Sequence, residues 1–251
     1  MTPAYRLLLC GFLACALAVA LLLLRVTAPY GRHARRGWGP AVPAPLGWFL
    51  MELPAPLLFG ALVLWGEGPQ DAPTWILLLL WEAHYFHRTF VWPLRLRGQR
   101  KPLPVLVMLM AIAFNTANAW LNGAWLGWMG PGYPEAWLLD PRFLAGVALF
   151  VSGYAVNQHS DRILLRLRPQ GTQGYVVPHE GLFRWVSCPN YLGEIAEWCG
   201  FALAAWSLPA LAFALWTAAN LVPRAISHHR WYRRTFQDYP PERRALLPGV
   251  L

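Results

Sequence analysis

Two side chains with complementary hydrogen-bonding roles sit inside long apolar runs: Glu52 in the run 44–65 and Tyr85 in the run 73–94. Glu52 lies about 8 residues from the basic end of its run and Tyr85 about 9 from the basic end of its own, so at ~1.5 Å per residue both fall roughly 12 to 14 Å below one surface. A carboxylate and a phenol at one depth can meet. An ionised Glu52 accepts from the phenol and orients it, whereas a protonated Glu52 is itself a donor; the sequence leaves both states open. A donor aimed at developing negative charge in a dry site commonly contributes ~3 to 4 kcal/mol.

Further polar residues fall on single helix faces. Asn115, Asn118 and Asn122 stand at i, i+3 and i+7; Asn157 and Asp161 at i, i+4; Asn190, Glu194 and Glu197 at i, i+4 and i+7; Arg224, His228 and Tyr232 at four-residue intervals. Interhelical hydrogen bonding explains any one Asn. Four such faces carrying acids and bases together describe a water-filled polar cavity, because charge inside a bilayer is expensive. His84 and His87, at i and i+3, share a face other than that of Tyr85 and read as supporting residues. HExxH is absent, since His179 and Glu180 are followed by Gly181, Leu182 and Phe183, and no cluster has zinc spacing, so no metal is expected. GxSxG and GxGxxG are absent too. A nucleotide cofactor would have to be held by the helices and their loops, for which Arg, Asn, Asp and Tyr are suited.

The elements that must position these groups follow from composition. The chain has 251 residues, 57% hydrophobic and 13% charged, with 15 Trp, and several apolar runs approach the ~20 residues that cross a bilayer core. An all-α polytopic membrane protein is expected, with spans at about 7–26, 44–65, 73–94, 103–129, 142–165, 187–206 and 208–230. The first run resembles a signal peptide but continues through Leu24 to Arg25, so it reads as an uncleaved helix. Arg and Lys concentrate in the first, third and fifth connections and in the tail, which places the N-terminus outside and the C-terminus in the cytosol. Residues 1–251 form one membrane domain. The net charge of +9 is accounted for by basic cytosolic rims and calls for no nucleic acid. Cys10, Cys15, Cys188 and Cys199 form no CxxC pair and read as buried free thiols. Trp65, Trp75, Trp125, Trp128 and Trp137 fall where interfacial Trp anchors helices.

The segments WFLMELP (48–54), HYFHRTFVWPLRLRG (84–98), NQHSDRILLRLR (157–168), GLFRWVSCPNYLGEIAEWCGFALAAWSLPALAFA (181–214) and RAISHHRWYRRTFQDYPPERRALLP (224–248) closely resemble the steroid 5α-reductases. The resemblance implies a seven-helix fold enclosing NADPH and reduction of the Δ4 double bond of a 3-oxo-steroid. It makes Glu52 and Tyr85 the catalytic pair on the substrate carbonyl, with Trp48, Phe114 and Trp216 lining the steroid pocket. For the cofactor it implies Tyr30, Arg88, Arg97, Asn157, Asp161 and Arg168, together with Tyr175, Asn190, Glu194, Arg224, His228 and Tyr232. Met51, Trp92, Met110, Val176, Asn220 and Ser227 depart from the mammalian pattern, so the reaction type is firmer than the natural substrate. Alternatives within reach are reduction of another conjugated lipid, such as an enoyl thioester, a polyprenal or a sterol nucleus, and an isoprenylcysteine-type methyltransferase, which the Glu52 and Tyr85 pair argues against. A lipid or sterol transporter would want a midplane site open to both sides. The partners expected are a steroid or related lipid and the bilayer itself. The chain is expected to act as a monomer, in a bacterial inner membrane or, in a eukaryote, the endoplasmic reticulum.

Overall fold

The computed structural model describes residues 1–29, 33, 35, 37–96, 102–167 and 175–251. Among these the chain is mainly helical: α1 (Pro3–Arg25), α2 (Ala44–Glu52), α3 (Pro54–Leu64), α4 (Ala72–Phe86), α5 (Trp92–Arg95), α6 (Val105–Ala124), α7 (Pro141–Arg166), α8 (Pro189–Ala205) and α9 (Leu208–Thr235). Four segments, Pro3–Arg25, Ala44–Leu64, Val105–Met129 and Leu208–Thr235, are long and apolar enough to cross a membrane. Every apolar run expected to be helical is largely so.

Helix ends are set by short-range chemistry. Asp71 caps α4 by accepting from Thr74 N at 2.8 Å, and its second oxygen accepts from Tyr133 N at 2.7 Å. Asp140 caps α7 from Arg142 N at 2.8 Å. Thr2 and Ser207 cap α1 and α9, and Trp206 turns the chain between α8 and α9 in the left-handed region at φ 43°. Asp71 and Asp140 are therefore both spent as helix caps.

Three departures from the sequence expectation have local causes. The run 44–65 is two helices joined at Leu53, because Pro54 supplies no N–H to continue the ladder. The run 73–94 passes from α4 to α5 through a π turn, His87–Val91, closed by Trp92 N on His87 O. Pro93 follows at once, where a regular turn would lack one donor and crowd the carbonyl four residues back. Leu103 and Pro104 are not helical; they pair as a short antiparallel strand with Val42 and Ala41.

α7 and α8 pack most closely. Gly146 and Gly153 on one face Gly200 and Gly193 on the other, and a Cβ on any of the four would fall 2.4 or 2.5 Å from a backbone nitrogen across the contact. Small residues that let backbones touch are the usual device for helix association in lipid. Elsewhere the core is aromatic: Phe59 stacks on Trp81 at 4.1 Å and Trp198 lies 4.2 Å from Phe213. α1 buries only Tyr5, Leu9, Phe12 and Ala16, with the Tyr5 hydroxyl donating to Leu121 O at 2.7 Å. Its other face, including Leu7, Leu17 and Leu21, is exposed apolar surface suited to lipid. The thiols correct one expectation: none is joined in a disulfide, but only Cys188 is buried, because Cys10, Cys15 and Cys199 point out of the bundle.

Candidate active site

Glu52 ends α2 and is 8% exposed. Asn115 on α6 donates to its Oε2 at 3.2 Å and to Met51 O at 2.6 Å, which fixes the end of α2 against α6. The π turn brings Arg88 to 3.8 Å from the other carboxylate oxygen and lays its guanidinium 4.7 Å over the Trp48 ring. Tyr85, 3% exposed, shares the electrostatic surroundings of Glu52 and lies near the Asn118 amide. The two residues placed at one depth by counting along the sequence are thus brought together, near Asn115 and Asn118. Among the described residues the buried Asn118 Nδ2 makes no hydrogen bond, leaving one donor beside the phenol for an acceptor from outside.

Behind Tyr85 lies a pair that sequence reasoning set aside. His84 Nδ1 meets Glu197 Oε1 at 2.7 Å, and both side chains are almost wholly buried. Trp198 packs on His84 at 4.7 Å and on Tyr85 at 5.7 Å. Glu197 belongs to the polar face of α8 at i+7 from Asn190, but it turns away from Asn190 toward α4. The His84 ring lies edge-on to the tyrosine ring at 5.0 Å.

Four of the cofactor candidates form one network at the close end of the α7–α8 contact. Asn157 Nδ2 donates to Asn190 O at 3.0 Å and to Glu194 Oε2 at 3.4 Å, and Asn190 Nδ2 donates to Asp161 Oδ1 at 3.1 Å. Glu194 also shares the electrostatic surroundings of Glu52 and Tyr85, so this network adjoins that pair. A second group lies on α9. Arg224 Nη2 donates to the Tyr191 hydroxyl at 2.9 Å, and His228 Nε2 lies 3.1 Å from the same oxygen, while His228 Nδ1 meets His33 at 3.1 Å. Tyr191, which bridges Arg224 to His228, was missed; its position beside Asn190 at the start of α8 was the available signal. Tyr232 is buried and stacks on Tyr239 at 5.4 Å, and Tyr175 lies edge-on to Trp231 at 5.1 Å. Tyr30, Arg97 and Arg168 lie outside the described residues.

The substrate candidates divide. Phe114 and Trp216 approach to 4.9 Å, and Phe12 of α1 stacks on both, at 5.8 and 4.5 Å. Trp48 is elsewhere, against Arg88 and 6.3 Å from Trp92. Phe12 was also missed. Its signal was the burial spacing Tyr5, Leu9, Phe12, Ala16 in a run otherwise read only as an anchor.

The site offers what a dinucleotide needs: guanidinium groups at Arg88 and Arg224 for phosphate, and amides and carboxylates at Asn157, Asn190, Asp161 and Glu194 for hydroxyl and carboxamide groups. Asp71 and Asp140, by contrast, are spent on capping at the opposite end.

Comparison with known proteins bears on the family. The family model described as 3-oxo-5-alpha-steroid 4-dehydrogenase matches residues 101–251, which hold α6 to α9 and the tail. Relatives extend the match over the Glu52 and Tyr85 half. Steroid 5-alpha-reductase DET2 of Gossypium hirsutum is 42% identical over 239 residues, 94% of this chain and 93% of its own. The 3-oxo-5-alpha-steroid 4-dehydrogenase 1 of Bos taurus is 42% identical over 248 residues, 96% and 95% of the two chains, and the 3-oxo-5-alpha-steroid 4-dehydrogenase 2 of Rattus norvegicus is 43% identical over 233 residues, 92% and 91%. Identity at this level along nearly the whole chain, with its candidate membrane-crossing helices, means that the chain is an integral membrane enzyme and belongs to the 3-oxo-5-alpha-steroid 4-dehydrogenase family.

Proposed function

We propose that this protein reduces the Δ4 double bond of a 3-oxo-steroid with NADPH, working as a seven-span bundle whose C-terminus and basic loops face the cytosol. The observation that carries the reading is the buried cluster of Glu52, Tyr85, Asn115 and Asn118, in which a phenol and a free amide donor converge where a ketone oxygen would sit. NADPH supplies the hydride when bound.

The chain's own residues do the rest. Tyr85 donates to the ketone oxygen, and its hydrogen bond strengthens as enolate charge develops there. Glu52, held by Asn115 and Arg88, orients the phenol, and the His84–Glu197 pair with Trp198 restrains the ring. Asn157, Asp161, Asn190 and Glu194 bind the polar edge of the cofactor, Arg224 and His228 bind nearer the rim, and Arg88 links this shell to Glu52. Phe12, Phe114 and Trp216 offer the apolar wall for the steroid and exclude water from the oxygen. The proton that finishes at the α carbon comes from Tyr85 or from water.

The deciding experiment is NADPH oxidation by purified protein in detergent, with a Δ4-3-oxo-steroid set against an enoyl thioester and a polyprenal. Turnover confined to the steroid, with a 5α-reduced product, is expected. Turnover of the thioester or polyprenal alone assigns the same machinery to another conjugated lipid, and failure to oxidise NADPH with any of them removes the reading.

A further inference from the structure

A second cavity, separate from the site above, opens on the flank of the bundle between the π turn, α5 and α7. It has a volume of about 320 Å³ and is lined by His87, Arg95, Tyr154, Gln158, His159 and Arg162, with Ala155 at its edge. That volume falls within the range of ligand sites, ~300 Å³ and above. No carboxylate lines it. Among the described residues neither Arg95 nor Arg162 forms an ion pair, although both are exposed at the basic end of their helices.

The strongest indication of a ligand is His87. The residue is 8% exposed, it lines this cavity, and its Nε2 has no hydrogen-bond partner. Its tautomer can be traced through a chain of bonds. Asn157 Nδ2 donates to Asn190 O, so its Oδ1 remains an acceptor, and Gln158 Nε2 donates to that oxygen at 3.4 Å. The same Gln158 nitrogen faces His87 Nδ1 at 3.1 Å, which must therefore accept. The ring hydrogen is on Nε2. A buried N–H donor and two guanidinium groups thus line one cavity, and among the described residues the donor is left unpaired, a costly arrangement.

We propose that this flank cavity is a binding site for a phosphate group, with His87 Nε2 donating one hydrogen bond and Arg95 and Arg162 closing on the anion. Arginine forks match phosphate oxygens two at a time, and two forks with the imidazole N–H supply donors enough for the several oxygens of a tetrahedral anion. The cavity opens sideways, and above it Leu144, Ala148, Val151 and Ala155 continue down α7 as an exposed, mainly apolar face, while Phe86, Phe90 and Leu94 are exposed on the neighbouring segment. An anionic phospholipid fits both features, acyl chains on the apolar faces and phosphate in the basic mouth. Basic pockets between membrane helices take headgroups in this way. The inference does not depend on the steroid reading.

The test is native mass spectrometry of the full chain in neutral detergent, titrated with dioleoylphosphatidylglycerol or dioleoylphosphatidylcholine, with and without excess inorganic phosphate. One phosphatidylglycerol is expected to bind in preference to phosphatidylcholine. The Arg95→Gln, Arg162→Gln double variant should weaken that binding at least ~10-fold, since charge-assisted contacts are lost. The corresponding double Lys variant should restore most of it, and Arg230→Gln, at the basic rim elsewhere, should leave it unchanged. Inorganic phosphate that displaces the lipid at comparable concentration assigns the site to free phosphate; displacement only at large excess assigns it to the headgroup. Equal binding of phosphatidylglycerol to wild type and the double Gln variant, or no preference over phosphatidylcholine, overturns the proposal.

Discussion

Replacing Gly153 by alanine tests whether the α7–α8 contact positions the polar site. The added Cβ falls 2.4 Å from Glu197 N and 2.6 Å from Gly193 O, backbone atoms that cannot swing aside. Ordinary contact begins at 3.4 Å, so the helices must part locally by 3.4 − 2.4 = 1.0 Å. One turn along, Asn157 reaches Asn190 O at 3.0 Å and Asn190 reaches Asp161 at 3.1 Å. Lengthening of that order takes both to about 4 Å, outside hydrogen-bonding range. Each bond contributes ~1 kcal/mol or somewhat more where a carboxylate accepts, so ~2 to 3 kcal/mol of ordering is at stake. A ligand gripped by these groups should bind at least ~10-fold more weakly. Gly146→Ala is the control. Its Cβ would lie 2.4 Å from Ala204 N, an equal overpacking ~10 Å further along the helix, away from the polar network. Both variants should lose ~1 to 3 kcal/mol of stability, but only Gly153→Ala should lose cofactor affinity. Thermal unfolding in detergent and quenching of tryptophan fluorescence by NADPH measure the two effects. Equal NADPH affinity in the two variants at equal destabilisation would refute the positioning argument.

Three further outcomes are expected. Tyr85→Phe removes only the donor and should lower turnover at least ~100-fold with NADPH still bound; if Glu52 acts through the phenol, adding Glu52→Gln should cost little more, and near-normal turnover in Tyr85→Phe rules out its role. Asp161→Ala, Asn190→Ala and Arg224→Ala should each weaken NADPH retention more than steroid binding, read by equilibrium dialysis of each ligand; unchanged cofactor affinity in all three contradicts the shell. Burial holds the Tyr239 phenol above its usual value, outweighing its 2.6 Å bond with Ser187. The folded chain therefore keeps a proton that the unfolded chain releases, and the associated stability is present below about pH 10 and lost as pH rises further. Alkaline melting curves should be flatter for Tyr239→Phe than for wild type, and parallel curves would contradict this.

Hydropathy made the helical runs legible, and depth counted along them brought Glu52 to Tyr85, because both depend only on spacing. Local breaks in the runs left little trace: Leu53 and Val91 are as apolar as their neighbours, and the bend and the π turn arise from prolines that follow. Contacts made by small residues were invisible for a different reason. A reading that seeks polar faces passes over Gly146, Gly153, Gly193 and Gly200, yet their seven-residue spacing on both helices was there to be read. Tyr191 and Phe12 were missed because each gains its meaning from a helix remote in sequence. His84 was read as supporting, and its contact with Glu197 was not foreseen, because Glu197 was grouped with Asn190 and Glu194 by periodicity alone.

The π turn at His87–Val91 also acts as a phase shifter. In a regular helix each residue turns ~100°, so Arg88 and Arg95, seven apart, would project almost together, and His87 and Arg95, eight apart, would diverge. One additional residue in a turn reverses this relation. Arg88 is directed to Glu52 and Trp48, while Arg95 joins His87 over the flank cavity. Deleting a single residue between Val91 and Arg95 would shorten the segment by only one residue and leave the span and its hydropathy nearly unchanged, yet it would rotate the basic end of the helix as a unit. Such a change is nearly silent in a hydropathy trace, but it would redistribute positive charge between the two faces, so length variation at this point in related sequences is a change of wiring within an unchanged topology.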